Sequence, residues 1–252
     1  MTITETAVKK NLDFKRAALI LLAFVCGGAV PIQLLTVSFG YAQYVKGVKP
    51  MMKAVPIAHE FASAIYIPFI LLPALVALVL IVIYARNRYP DIARRILVGA
   101  AAGAVATISL DAIRLTGVVH GWLPADTPVP FGKLITGSDV MAVYFPVGVL
   151  AHYTFGANFG IFYAFVWGRR GSYGRAVLWG VIWALLVELG MMTLPPMAPA
   201  LGPFGINYMW PHFFLTTLFA HILFGITLGL LVQHFLKKED CGGPSTFLRG
   251  PA

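Results

Sequence analysis

Apolar residues fall along this chain in long unbroken runs, and glycine, proline or charge marks nearly every break between them. Six runs occupy roughly residues 17–43, 56–85, 95–118, 140–167, 174–194 and 210–236. Each reaches the roughly 20 apolar residues that a helix needs to cross hydrocarbon. The pattern predicts an all-α polytopic membrane protein with six transmembrane helices in a single domain over 1–237. The Gly/Pro-rich remainder, 238–252, reads as a disordered cytoplasmic tail.

Composition agrees with lipid as the solvent. Hydrophobic residues make up 59% of 252 and charged residues 12%, with a mean hydropathy of +0.80. Soluble domains carry about 25% charged residues.

Charge then sets an orientation. Lys9, Lys10, Lys15, Arg16, Arg86, Arg88, Arg94, Arg95, Arg169, Arg170, Arg175, Lys237, Lys238 and Arg249 all fall on one set of alternate connections. The opposite set holds only Lys46, Lys49, Lys53 and Lys133, and Arg114 lies inside a run. By the positive-inside rule both termini face the cytoplasm. The net charge of +9 is therefore a topology signal rather than a nucleic-acid surface, because the basic residues are scattered over four short segments. The first run is too long for a signal-peptide core and no A-x-A pattern follows it, so it reads as a retained span. Cys26 in the first run and Cys241 in the tail do not suggest a disulfide.

Two segments repeat. "AHYTFGANFG" from Ala151 and "AHILFGITLG" from Ala220 both fit A-H-x-x-F-G-x-x-x-G. His152 lies 17 residues before Arg169 and His221 lies 16 before Lys237, so at about 1.5 Å per residue both histidines sit at one depth within about 2 Å. That depth is in the outer half of the bilayer. The preceding runs match as well: Gly103 precedes Asp111 by eight residues, and Gly180 precedes Glu188 by eight. Segments 95–168 and 174–237 thus read as two parallel copies of one helical hairpin, with an acid on the ascending helix and a histidine on the descending one. Residues 17–86 offer a degenerate third copy with Gln33 and His59. His59 lies 27 residues before Arg86, about 15 Å nearer the outside, and Ser63 and Ile67 stand where the glycines would be.

Ionisable groups within spans cost roughly 2.5–3.5 kcal/mol each on insertion scales, so those retained are read as functional. Asp111, Arg114, His152, Glu188 and His221 lie inside; His59, Glu60, Asp139 and His212 lie near the outer interface. Asp111 and Arg114 are three apart on one helix and can pair. Gly156, Gly160, Gly225 and Gly229 permit close helix crossing, and they equally leave a side-chain-free wall beneath each histidine. A planar macrocycle needs such a wall, and histidine is its common axial ligand. His152 and His221 are therefore candidate ligands of haem b or a transition metal, with the four glycines as its bed. The alternative is a polar path through Asp111, Arg114, Glu188, His59, His212 and the two histidines. The outer segment "TLPPMAPALGPFGINYMWPHFF" reads as an aromatic belt or an interfacial lid. No nucleotide-binding glycine loop, C-x-x-C, H-E-x-x-H or G-x-S-x-G occurs.

The order "AHYTFGANFGIFYAF", "GVIWALLVELGMMTLPPMAP", "FAHILFG" over the last hundred or so residues resembles the YagU-like group of bacterial inner-membrane proteins. Members of that group place an acid just before the final Gly-His; Phe219 and Ala220 stand there in this chain. The resemblance implies a bacterial inner-membrane location and a broad link to acid tolerance, and it implies no reaction.

Three functional readings follow. The first is a membrane subunit that holds haem or a metal in the outer half and supports electron transfer with membrane or periplasmic partner subunits. The second is a proton-linked transporter or channel. The third is a structural or assembly subunit whose histidines are inert. Whether the chain is itself an enzyme stays open.

Overall fold

A computed structural model describes residues 13–238. The tail expected over 238–252 therefore lies almost wholly outside the described residues, as do Lys9, Lys10, Cys241 and Arg249.

The described chain is helical, and six helices are long and apolar enough to cross a membrane: α1 (Phe14–Val45), α2 (Met51–Arg88), α3 (Pro90–Val119), α5 (Met141–Val166), α6 (Tyr173–Thr193) and α8 (His212–Phe235). Two short helices lie in the connections, α4 (Pro128–Thr136) and α7 (Met197–Leu201). The outward faces of the six long helices carry leucine, isoleucine, valine and phenylalanine exposed to the surroundings, among them Leu22, Phe69, Val79, Ile108, Leu150, Leu185 and Phe219. A water-soluble chain would bury such a surface; a bilayer solvates it. This is a multi-pass membrane protein.

Local sequence explains where the helices begin and bend. Asp13 caps α1 by accepting from the backbone N–H groups of Lys15 and Arg16 at 3.0 and 3.1 Å. The Arg16 guanidinium pairs with Asp91 in the first turn of α3, which ties the starts of these two helices together at the basic end. At the 38 residues of α2, a straight helix would be about 57 Å long. Pro56 and Pro68 interrupt it, and the backbone widens to π-helical turns over Ala62–Leu71. A proline removes one N–H and crowds the carbonyl four residues back, and a wider turn accommodates both effects.

Glycines set the packing of the two hairpins. On α3, a Cβ at Gly103 would run into the backbone of Gly156 and Gly160, and one at Gly99 would meet Gly160 O at 2.7 Å. On α6, a Cβ at Gly180 would run into Gly225 and the Cα of Gly229. The same positions in both copies carry the same backbone-to-backbone crossing. Helix α3 packs on α5 within its own hairpin and on α8 of the other, and α8 packs on α6. Ser109 Oγ donates to Thr227 Oγ1 at 2.9 Å across the α3–α8 seam. Phe162 of α5 stacks on Trp183 of α6 with ring centroids 4.5 Å apart, and Tyr163 Oη donates to Ala176 O at 3.1 Å. The two hairpins therefore close into a four-helix unit. Helix α1 leans on α5, where Gly27 and Gly28 face Ile161 and Phe162 and Asn158 Nδ2 donates to Gly27 O at 2.9 Å.

The four glycines are therefore not a bed for a macrocycle. Gly156 lies against Thr107 and Gly103, Gly160 against Gly99 and Gly103, Gly225 against Gly180 and Ala184, and Gly229 against Ala176. The wall that the sequence left free is occupied by the partner helix of the same hairpin.

Candidate functional site

Between α1, α3, α4, α5, α6 and α8 lies a cavity of about 400 Å³. Its outer end is formed by connections at the end poor in Lys and Arg, through Leu123, Pro124, Thr127, Pro195 and Pro196. Its walls are mostly apolar and aromatic. His152, His221 and Arg114 all border it, so the structure brings these three predicted residues to one space.

The acid–histidine arrangement read from the repeat is present in both hairpins. In the first, His152 Nε2 lies 2.9 Å from Asp111 Oδ1. The same carboxylate accepts from Arg114 Nε at 2.8 Å and from Tyr153 Oη at 3.2 Å. Arg114 continues the chain of charges through Nη1 to Asp126 in the connection beyond α3. An acceptor-only carboxylate requires the hydrogen on Nε2, which assigns that tautomer from its partners. The other ring nitrogen of His152, Nδ1, makes no hydrogen bond to a described residue.

In the second hairpin, His221 Nδ1 lies 2.8 Å from Thr217 O and 2.8 Å from Glu188 Oε2. Two acceptors assign the hydrogen to Nδ1, and its direction favours the carbonyl. Oε2 therefore has the charge contact without an aligned hydrogen bond, and it is a buried oxygen lacking a geometric partner. Thr217 Oγ1 is 2.8 Å from Glu188 Oε1 but also 3.1 Å from Phe213 O and 2.9 Å from Phe214 O. One hydroxyl hydrogen cannot serve all three. Directed at a carbonyl, the hydroxyl becomes an acceptor for a protonated Glu188; directed at Oε1, it serves an ionised one. Oε1 of Glu188 thus has a hydrogen-bond partner in either proton state without moving a heavy atom, whereas Oε2 has none. Glu188 itself is 3% exposed.

The two pairs are wired through opposite nitrogens. His152 binds its acid through Nε2 and leaves Nδ1; His221 binds through Nδ1 and leaves Nε2. In both rings the remaining nitrogen is the only one that can take up a further proton. Doing so creates an imidazolium directly beside a carboxylate.

Two members of the predicted polar path stand elsewhere. His59 is held by α4, with Nδ1 2.7 Å from Leu134 O beside Gly137, and it does not border the cavity. His212 is exposed and rests on the Trp122 ring, 5.3 Å between centroids. Glu60 is exposed, and Asp139 is an exposed partner of Lys133. Sequence reasoning missed Tyr153, Asp126 and Thr217. Thr217 precedes His221 by one helical turn and so shares its face, a signal that could have found it. Asp126 sits in "LPADTP", where nothing in the sequence points back to Arg114.

Each histidine is engaged by an acid through one ring nitrogen, and the glycines beneath both rings pack on the facing helix. Among the described residues no group of three or more His, Cys, Asp or Glu side chains is arranged to hold a metal ion. Comparison with protein-family models, with curated proteins and with solved structures found no match to this chain.

Proposed function

We propose that this protein is a proton-linked transporter of a small, largely apolar solute, and that the cavity is its binding chamber. The observation that carries this reading is the pair of buried acid–histidine couples, one on each hairpin copy, bordering the same cavity. Intramembrane acid and histidine side chains are the usual elements of proton relays in pumps and transporters. Here each couple keeps one imidazole nitrogen to receive a proton, and Glu188 has a rotatable hydroxyl that suits either of its protonation states. A cavity of about 400 Å³ is of the size that holds a small organic molecule. Arg114, fixed between Asp111 and Asp126, holds the first couple's carboxylate in place at the outer end.

The proposed location is the bacterial cytoplasmic membrane, from the resemblance of the C-terminal half to the YagU-like group, with both termini inside, from the distribution of Lys and Arg. The cavity then lies nearer the periplasmic face.

The test is uptake into proteoliposomes. A panel of radiolabelled small aromatic and aliphatic solutes is offered with and without an imposed pH gradient. Expected is accumulation of at least one solute that requires the gradient, collapses with a protonophore, and is lost in Asp111→Asn and Glu188→Gln. Gradient-independent behaviour throughout, together with a Soret band or stoichiometric metal in the purified protein, would replace this reading by the electron-transfer one.

A further inference from the structure

One side of the cavity is a window rather than a wall. Helices α1 and α6 both line it, through Ile32, Gln33 and Thr36 on one side and Leu186 and Gly190 on the other, yet they share no packed interface. Gln33, Leu186 and Leu194 border the cavity while also being exposed on the lipid-facing surface, the two leucines at 50% and 47%. Toward the basic end the gap is shut by Phe162, wedged between Gly28 and Trp183. Toward the outer end it is shut by the Pro195–Pro196 turn, where Gln43 Nε2 holds Pro196 O at 3.0 Å. Between these stops, a Cβ added at Gly190 would meet nothing within 4 Å. The opening faces hydrocarbon, not water.

One polar group at this place lacks a partner. Gln33 sits on the rim, and its amide makes no hydrogen bond to a described residue. Leaving such a group unsatisfied in an apolar medium costs roughly 2–7 kcal/mol. It is positioned to bond something that enters the cavity. The ionised groups already face partners within the protein: Arg114 bonds two aspartates, and Glu188 contacts His221. The lining is mostly apolar, and moving a charged head from water into such a space is costly. The walls themselves carry Phe131, Phe155, Phe159, Phe162, Trp183 and Phe224.

The geometry points to an uncharged, bilayer-dissolved molecule with a planar ring and a hydrogen-bond-accepting oxygen as the solute, entering sideways from the membrane through the α1–α6 window. This rests on the reading of the cavity as the solute chamber. Rings pack against the aromatic wall in offset or edge-on contacts. The oxygen accepts from the Gln33 amide at the entrance.

The experiment uses the full chain in nanodiscs and three probes with the same ten-carbon tail: tritiated decylubiquinone, decanoate and decyltrimethylammonium. Retention on captured nanodiscs is measured above that of empty ones. Expected is saturable retention of decylubiquinone alone. Gln33→Leu, which removes one neutral hydrogen bond, should weaken it about three- to tenfold. Gly190→Trp should fill the window and abolish it, with the thermal unfolding temperature unchanged, while Gly190→Ala retains it. No saturable retention by the wild type, equal retention by Gly190→Trp, or stronger retention of either charged probe would overturn the inference. Gradient-driven uptake of a water-soluble solute in the proteoliposome assay would survive any of these results, so the two failures are distinguishable.

Discussion

Removing the Arg114 guanidinium should be the most damaging single charge change in this protein, and Asp111→Asn should relieve part of the damage. Arg114 has a side chain 8% exposed and bridges Asp111 and Asp126, whose side chains are 13% and 23% exposed. Arg114→Gln leaves two carboxylates facing one another without their cation, and breaking a buried pair in this way costs about 3–5 kcal/mol. Asp111→Asn is milder. Arg114 keeps Asp126, and the new Asn Oδ1 can still accept from His152 Nε2, so the loss is of the order of one charged hydrogen bond, about 1.5–3 kcal/mol. In the double variant Asp126 is the sole carboxylate left, and it is close enough to the outer connection to be resolvated. The double variant should therefore be more stable than the sum of the singles by about 1–3 kcal/mol, the range for residues in one ionic network. Reversible unfolding in mixed micelles measures all three variants. Additivity within about 0.5 kcal/mol would show that Arg114 and Asp111 are not energetically joined and would refute the cluster as described.

Alkaline-phosphatase fusions should be active after about Lys49, Asp126 and Gly202 and inactive after Asn87, Gly171 and Lys238; the reverse pattern would invert the cavity's side of the membrane. Gly103→Leu and Gly180→Leu should each cost at least the 1–3 kcal/mol of ordinary overpacking, because the obstacle is backbone of the facing helix, and the two losses should be similar since the crossings are equivalent; unfolding midpoints in detergent compare them. Spin labels at His152→Cys and His221→Cys should lie within about 25 Å, a span of roughly two helix diameters; a longer distance by pulsed resonance would remove the shared cavity.

Much of the fold was legible because hydrocarbon leaves few options for the backbone. The six helices fall within a few residues of the apolar runs, except that α2 starts at Met51 rather than near residue 56 and α3 at Pro90 rather than near 95. Both extensions are amphiphilic ends that carry Lys53 or Arg94 and Arg95, where an apolar run cannot mark the boundary. The repeat was legible in more detail than the helix ends. Equal spacing of glycine and acid on the ascending helices, and of histidine and glycine on the descending ones, put Asp111 with His152 and Glu188 with His221. What the spacing could not show was the occupant of the glycine face. A small residue in a membrane helix admits either a flat ligand or another backbone, and the sequence is the same in both cases. Helix α4 was hidden for a different reason. Its nine residues contain Pro128, Pro130 and Gly132, a composition that reads as a turn, and it is held by packing on α5, where Gly132 and Gly148 lie against the backbone of Tyr144 and Pro128.

The repeat also limits how alike the two halves can be in function. Equivalent backbone crossings place both histidines at equivalent positions, yet one ring is turned to its acid by Nε2 and the other by Nδ1. The cause is in the neighbours. Thr217 O accepts from His221 Nδ1, an intrahelical contact that fixes that ring. At His152 the Asp111 carboxylate is already turned by Arg114 and Tyr153 and meets the far nitrogen instead. The first acid is thus surrounded by donors, whereas the second has an oxygen with no aligned donor and a hydroxyl that can face either way. On the proposed transport reading, a proton entering the cavity would meet two unlike acceptors, one locked in a charged network and one whose Oε1 can change role with a single hydroxyl rotation. The two sites would then differ in the order in which they take up a proton, and that asymmetry originates in Arg114 and Thr217 rather than in the repeated motif itself.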